Sequence, residues 1–251
     1  MTDAPLLLTF LILIAALLYS SVGHGGASGY LAAMALFGLA PAVMKPTALV
    51  LNLLVAGLGT FRYARSGYFN WNVFWPFAMF SIPCAFFGGS YQLHDRTYRA
   101  ILGVVLLFAA WRLAFQQARL SVAEQKPIPL SIALVIGAPI GLLSGLVGVG
   151  GGIFLSPVVL LAGWADVRKT AGISAAFILV NSAAGLLGQL RHDQWQTFKS
   201  TPHAIFWWAP AALLGGIIGS ELGSRRLTPL VMRRLLATVL VVAGLKMLLT
   251  H

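Results

Sequence analysis

The chain has 251 residues, of which 59% are hydrophobic and only 9% are charged, and its formal net charge at pH 7 is +11. Soluble domains carry about 25% charged residues, so this composition and a mean hydropathy of +0.86 exclude an ordinary soluble domain. The positive charge does not indicate nucleic-acid binding, because no basic stripe alternates with aromatic residues, and the single Cys84 excludes an internal disulfide.

Apolar segments follow one another along the whole chain. A helix needs about 20 apolar residues to cross the hydrocarbon core of a membrane. We interpret the first segment as a retained helix and not as a secretory signal, because no Lys or Arg precedes it. The predicted elements lie near residues 5–22, 27–43, 46–64, 72–92, 97–116, 130–147, 152–164, 170–189, 203–223 and 229–249. The sequence therefore predicts an all-α polytopic membrane protein with about ten transmembrane or re-entrant helices.

The two halves of the chain repeat the same features in the same order. The segment Val22–Gly26 (VGHGG) returns 125 residues later as Val147–Gly151 (VGVGG). Further pairs are Lys45 with Lys169, Trp71 with Trp195, Pro83 with Pro210, Arg99 with Arg233, and Arg112 with Lys246. We predict a first membrane repeat over residues 1–117, a polar cytoplasmic linker over 118–129 and a second membrane repeat over 130–251.

Five helices per repeat would insert the second copy in the opposite direction to the first. The halves would then be two inverted repeats related by a pseudo-twofold axis in the membrane plane. Eleven of the 17 Lys and Arg residues fall on one side of this arrangement. By the positive-inside rule, the linker lies in the cytoplasm and both termini lie on the periplasmic side of a bacterial inner membrane.

The glycine-rich motifs are the first candidate substrate site. Short segments flank both, which favours helices that break or dip near the middle of the membrane. Glycine permits positive φ, and a glycine turn that leads into a helix exposes unpaired N–H groups able to bind an anion. The alternative is that the glycines only allow close helix packing. The candidate residues are Gly23, His24, Gly25, Gly26 and Ser28 in the first repeat, and Gly148, Gly150, Gly151 and Gly152 in the second.

Polar residues inside the apolar segments are the next candidates. Asn52, Ser174 and Asn181 are expected to contact the substrate, although hydrogen bonds between helices would also explain them. Lys45 and Lys169 each open a long apolar segment. They either attract and gate an anion or extend toward the lipid headgroups.

Acidic residues are absent from the apolar interiors. All six Asp and Glu residues lie at segment edges or in connections, whereas membrane sites for cations are usually built from carboxylates. The centre is therefore expected to bind an anion, with no metal and no cofactor. His24 is the one histidine deep in an apolar segment; it either titrates during transport or is bonded to backbone.

These residues resemble the TauE/SafE family of membrane permeases. The resemblance lies in the doubled glycine motif, the Lys-led segments and the Gly67–Trp71 turn, and it covers about residues 6–249. The first repeat departs from the family pattern, with Ala27 in place of a third glycine and Pro46–Ala48 where the second repeat has Gly172–Ser174. The resemblance implies a transporter, not an enzyme, that exports sulfite or organosulfonates.

Two other functions are weighed against a carrier. A passive anion channel would have the same residues and differ in its kinetics. Gly26-Ala27-Ser28-Gly29 matches the nucleophile motif of rhomboid-like intramembrane serine proteases, which also need a histidine beside the serine. Ile153 occupies the place of Ser28 in the second repeat, which disfavours proteolysis. The expected partners are a small anion and the lipid bilayer, and a homodimer is left open.

Overall fold

The computed structural model describes residues 3–21, 23–115, 128–190, 202–225 and 230–249. Within these ranges the regular structure consists of ten α-helices and no strand, which confirms the predicted all-α class. The helices are α1 (Asp3–Ser20), α2 (Ala27–Leu36), α3 (Pro41–Arg65), α4 (Trp71–Ser90), α5 (Asp95–Phe115), α6 (Leu130–Val147), α7 (Gly152–Leu161), α8 (Val167–Gln189), α9 (Pro202–Arg225) and α10 (Leu230–Leu249). Trp195 and residues 118–127 of the predicted linker lie outside the described residues.

Several helices have the length and composition of membrane spans. Among the described residues, α3, α4, α6, α8 and a stretch of α9 are long and apolar enough to cross a membrane. Large apolar side chains also point outward, including Leu161, Phe206 and Trp207, which are more than 70% exposed (81%, 74% and 72%). Such a surface is suited to lipid and not to water. The protein is a polytopic membrane protein.

The helices α2 and α7 are much shorter than the others. Each has ten residues, which at 1.5 Å per residue gives about 15 Å, half the thickness of the hydrocarbon core. Neither helix can cross the core alone. This length agrees with the expectation that the segments beside the glycine motifs break or dip within the membrane. One predicted boundary was wrong: α2 ends at Leu36, Gly38 adopts a φ of +73°, and α3 already begins at Pro41. Proline is well tolerated in the first turn of a helix.

The helices of the two halves pack against one another in a reciprocal pattern. Helix α4 packs on α6 and α8, and in the same way α9 packs on α1 and α3. The pairs α3–α8 and α5–α10 join equivalent helices of the two halves. These contacts stay the same when each helix of one half is exchanged for its counterpart in the other. A twofold relation between the halves predicts this pattern.

Glycines let the main chains approach closely where α6 meets α4. Gly137, Gly141 and Gly145 occur at every fourth position of α6 and face α4. A Cβ added at Gly141 would lie 2.1 Å from the carbonyl oxygen of Ser81, and one at Gly145 would lie 2.0 Å from that of Ala85. Small residues at this spacing are typical of close helix pairs in membranes, where packing replaces the hydrophobic effect.

Candidate substrate site between the two glycine motifs

Both glycine motifs form buried turns that lead directly into the short helices. Gly26 precedes α2 with a φ of +99°, and Gly151 precedes α7 with a φ of +80°. Gly23, Gly148 and Gly150 also have positive φ. Glycine is the residue that adopts this left-handed conformation without steric cost. The first N–H groups of α2 and α7 therefore lie at the ends of the two motifs, as an anion site would need.

The two motifs meet at Asn52 of α3 and Ile178 of α8. A Cβ added at Gly25 would lie 2.6 Å from Asn52 Oδ1 and 3.1 Å from Ile178 Cγ2. One added at Gly150 would lie 2.8 Å from Asn52 Nδ2 and 2.7 Å from the same Ile178 atom. The structure thus brings the motifs of the two halves together where α3 packs against α8.

Each motif also packs against the beginning of a long helix in the other half. A Cβ added at Gly23 would lie 2.5 Å from the Cα of Ala171, in the first turns of α8. One added at Gly148 would lie 3.1 Å from the carbonyl oxygen of Lys45, in the first turns of α3. Close packing therefore accounts for at least these two glycines, and the motifs are closed against their neighbours in this structure.

Asn52 lies at the centre of the contact between the halves and is fully buried. Its Nδ2 atom donates to the carbonyl oxygen of Val149 and to Ser182 Oγ, both at 3.3 Å. Its Oδ1 atom has no hydrogen-bond partner in the described part of the chain. Asn181 is also fully buried, but its Nδ2 atom donates to the carbonyl oxygen of Phe177 within its own helix.

A chain of three polar side chains crosses between the halves. Ser156 Oγ lies 3.1 Å from His24 Nε2 and 2.7 Å from Ser174 Oγ. Both serines are buried, whereas His24 is only half-buried. His24 and Ser174 were predicted from the sequence, whereas Ser156, which joins them, was not. The signal for it was a hydroxyl one helical turn after the second glycine motif.

The remaining serine of the candidate set belongs to the first motif. Ser28 is buried in the first turn of α2. Its counterpart in the second half is the apolar Ile153, also buried, in α7. A feature shared by both halves therefore rests on the glycines and not on this hydroxyl.

The two lysines that the repeat pairs have unlike surroundings. Lys45 is buried, and its Nζ atom lies 3.2 to 3.4 Å from the carbonyl oxygens of Gly88, Gly89 and Tyr91. These oxygens belong to the C-terminal end of α4, where a helix dipole favours a cation. Lys169 is partly exposed in the first turn of α8, and its backbone N–H donates to the capping carboxylate of Asp166.

The last helix of each half carries one cation that donates a hydrogen bond to the short helix of the other half. Arg112 of α5 donates to the carbonyl oxygen of Ile153 in α7. This oxygen lacks its usual helical donor because the residue four positions on is Pro157. Lys246 of α10 donates to the carbonyl oxygen of Leu36 at the end of α2, at 2.8 Å. Arg112 and Lys246 are paired in the sequence of the two halves, but neither residue was predicted to contact a short helix.

Comparison with known proteins identifies the family. The family model described as "Sulfite exporter TauE/SafE" matches residues 8–247. The probable membrane transporter protein y4hK of Sinorhizobium fredii is 41% identical over 236 residues, which cover 93% of this chain and 94% of that protein. The probable membrane transporter protein YjnA of Bacillus subtilis is 26% identical over 246 residues, with 90% and 92% covered. No solved structure matches the chain. The chain therefore belongs to the TauE/SafE family of membrane transporters.

Proposed function

We propose that the protein is a carrier that exports small sulfur-containing anions, such as sulfite or organosulfonates, across the bacterial inner membrane. The observation that carries the proposal is the meeting of both glycine motifs on Asn52 and Ile178. The helices α2 and α7, one from each half, begin at this point. The N-terminus of each helix provides unpaired N–H groups and a partial positive charge.

The charge of the surroundings supports an anionic substrate. The described acidic residues are Asp3 and Asp95, which begin helices, Asp166, which caps α8, and Glu221, which lies 3.5 Å from Arg62. None of these is among the groups that contact the glycine motifs. Arg112, in contrast, binds the second residue of α7 and places positive charge beside the second motif, whereas Lys246 binds the far end of α2. An anion at the motifs would thus meet two helix N-termini and one cation, as binding without carboxylates requires.

The reciprocal contacts support a carrier built from inverted repeats, with the cytoplasmic linker and periplasmic termini that the charge distribution predicts. In such carriers the substrate lies at the interface of the repeats, and rocking of one repeat against the other exposes it to each side in turn. We assign substrate contacts to the N–H groups at the starts of α2 and α7 and to His24, Ser156 and Ser174. The motifs are buried and closed on each other in this structure, which supports a carrier over an open channel.

Counterflow in proteoliposomes tests this proposal. The purified protein is reconstituted into vesicles loaded with unlabelled sulfite or an organosulfonate, and the uptake of the labelled anion is measured. A carrier shows saturable uptake that depends on internal substrate, and Ser156→Ala raises the half-saturation concentration. Flux that rises linearly with concentration and ignores internal substrate would identify a channel. The absence of any anion flux would refute the proposed function.

A further inference from the structure

The orientation of the Asn52 side chain is fixed by its contacts. The carbonyl oxygen of Val149 can only accept a hydrogen bond, so the atom that faces it at 3.3 Å must be the donor, Nδ2. The second contact of Nδ2, with Ser182 Oγ, agrees with this assignment. Oδ1 therefore points the other way, toward Gly25 of the first motif.

Within the part of the chain that the structure describes, the Oδ1 atom is an acceptor without a donor. It is fully buried and has no hydrogen-bond partner among the described residues. Buried polar atoms are normally hydrogen-bonded, so an unpaired one at the centre of a structure needs an explanation. The atom lies between the two motifs, and separation of the motifs would uncover it.

This acceptor is in conflict with an anion that carries only acceptors. The N–H groups of the motifs would bind the oxygens of a sulfonate, whereas Asn52 Oδ1 would repel them. A substrate that satisfies both needs a negative group and, beside it, a hydrogen-bond donor. A hydroxyl group provides such a donor without cancelling the negative charge.

We propose that Asn52 Oδ1 determines specificity by accepting a hydrogen bond from the substrate, and that the preferred substrates are organosulfonates with a hydroxyl group close to the sulfonate. This inference rests on the proposed function, because it assigns the substrate class of the same site. In this arrangement the sulfonate of the substrate binds N–H groups at the glycine motifs, and the donor group of the substrate binds Asn52 of α3.

The test compares two sulfonates that differ in one hydroxyl. Counterflow of 2-hydroxyethanesulfonate and of ethanesulfonate is measured with the full-length protein in proteoliposomes. The half-saturation concentration should be at least about tenfold lower for 2-hydroxyethanesulfonate than for ethanesulfonate. Ethanesulfonate lacks the hydroxyl, so its binding leaves the buried Asn52 Oδ1 atom without a donor. Equal values for the two compounds in the wild-type protein would overturn the inference and leave the proposed carrier intact. If neither compound is transported while sulfite is, the inference fails and the proposed carrier stands; if sulfite is not transported either, both proposals fail.

Two variants assign the selectivity to one atom. In Asn52→Leu the acceptor is lost, and the ratio of the two half-saturation concentrations should fall to about one. In Ser182→Ala only a partner of Nδ2 is lost, so the ratio should stay close to that of the wild type. An unchanged ratio in Asn52→Leu would show that another group recognises the hydroxyl. Ligand-induced shifts of the melting temperature provide the same ratio if the Leu variant binds without transporting.

Discussion

Replacing Gly23 by alanine tests the closest contact between a glycine motif and the opposite half. Gly23 has a φ of +77°, and a Cβ there would lie 2.3 Å from the Cβ, 2.5 Å from the Cα and 2.7 Å from the carbonyl oxygen of Ala171. Holding alanine in the left-handed conformation costs about 1–2 kcal/mol. Overpacking in a closely packed interior costs about 1–3 kcal/mol more. The expected loss of stability is therefore about 2–5 kcal/mol.

Gly67 is a matched control for the backbone term. It has the same φ of +77°, but a Cβ at Gly67 would meet nothing within 4 Å. Gly67→Ala should therefore lose only the conformational cost of about 1–2 kcal/mol. The difference between the two variants measures the contact with Ala171 alone.

Thermal unfolding of the two purified variants in the same detergent, at one scan rate, measures this difference. A change of 1 kcal/mol shifts the melting temperature of a chain of this size by about 2–4 °C. Gly23→Ala should therefore melt about 2–12 °C below Gly67→Ala, or fail to accumulate as folded protein. Equal melting temperatures would refute the packing of the first motif on α8.

Three further predictions concern the polar groups around the site. Ser156→Ala should raise the half-saturation concentration of counterflow about fivefold or more, because it removes a hydroxyl that joins the halves. The control is Ser81→Ala, which removes a buried hydroxyl without a partner in the described residues and should match the wild type. Arg112→Met should melt at a lower temperature than Arg112→Lys, since lysine can still donate to the carbonyl oxygen of Ile153 in α7. Equal melting temperatures would show that this hydrogen bond does not stabilise the protein. Lys45→Met should lose about 1–3 kcal/mol of stability because the end of α4 loses its cation, whereas Lys169→Met should keep its melting temperature. If both Met variants instead weaken anion uptake equally at unchanged stability, the lysines are gates.

Much of the fold could be predicted from the sequence because lipid imposes a simple rule on composition. The predicted segment 130–147 coincides with α6, and the segment near 170–189 ends with α8. The boundary between α2 and α3 could not be predicted in this way. Both sides of it are apolar, and the positive φ of Gly38, together with the start of α3 at Pro41, decides it.

The site was predictable only in part, since its residues come from different helices. The glycine motifs were evident because the same pattern of residues occurs twice in the sequence. The partners of Lys45 could not be predicted, because the cation at the start of α3 binds the end of α4, far away in sequence. Ser156 and Arg112 were missed for the same reason: their roles depend on His24 and on a carbonyl freed by Pro157, both about 40 residues or more distant in sequence.

Glycines line the contacts of α4 with α6 and of α1 with α9, and this has a consequence for how the two halves depend on each other. Where α4 meets α6, the glycines of α6 are joined by Gly88 of α4, which faces the main chain of α6 at Leu142. Where α1 meets α9, Gly215 and Gly219 of α9 face the main chain of α1 at Leu13 and Leu17. Gly88 and Gly215 occupy matching places, five residues after Pro83 and Pro210. The two contacts thus share one glycine position, and the second half provides the other glycines, so bulkier residues at these contacts would be tolerated least in the second half.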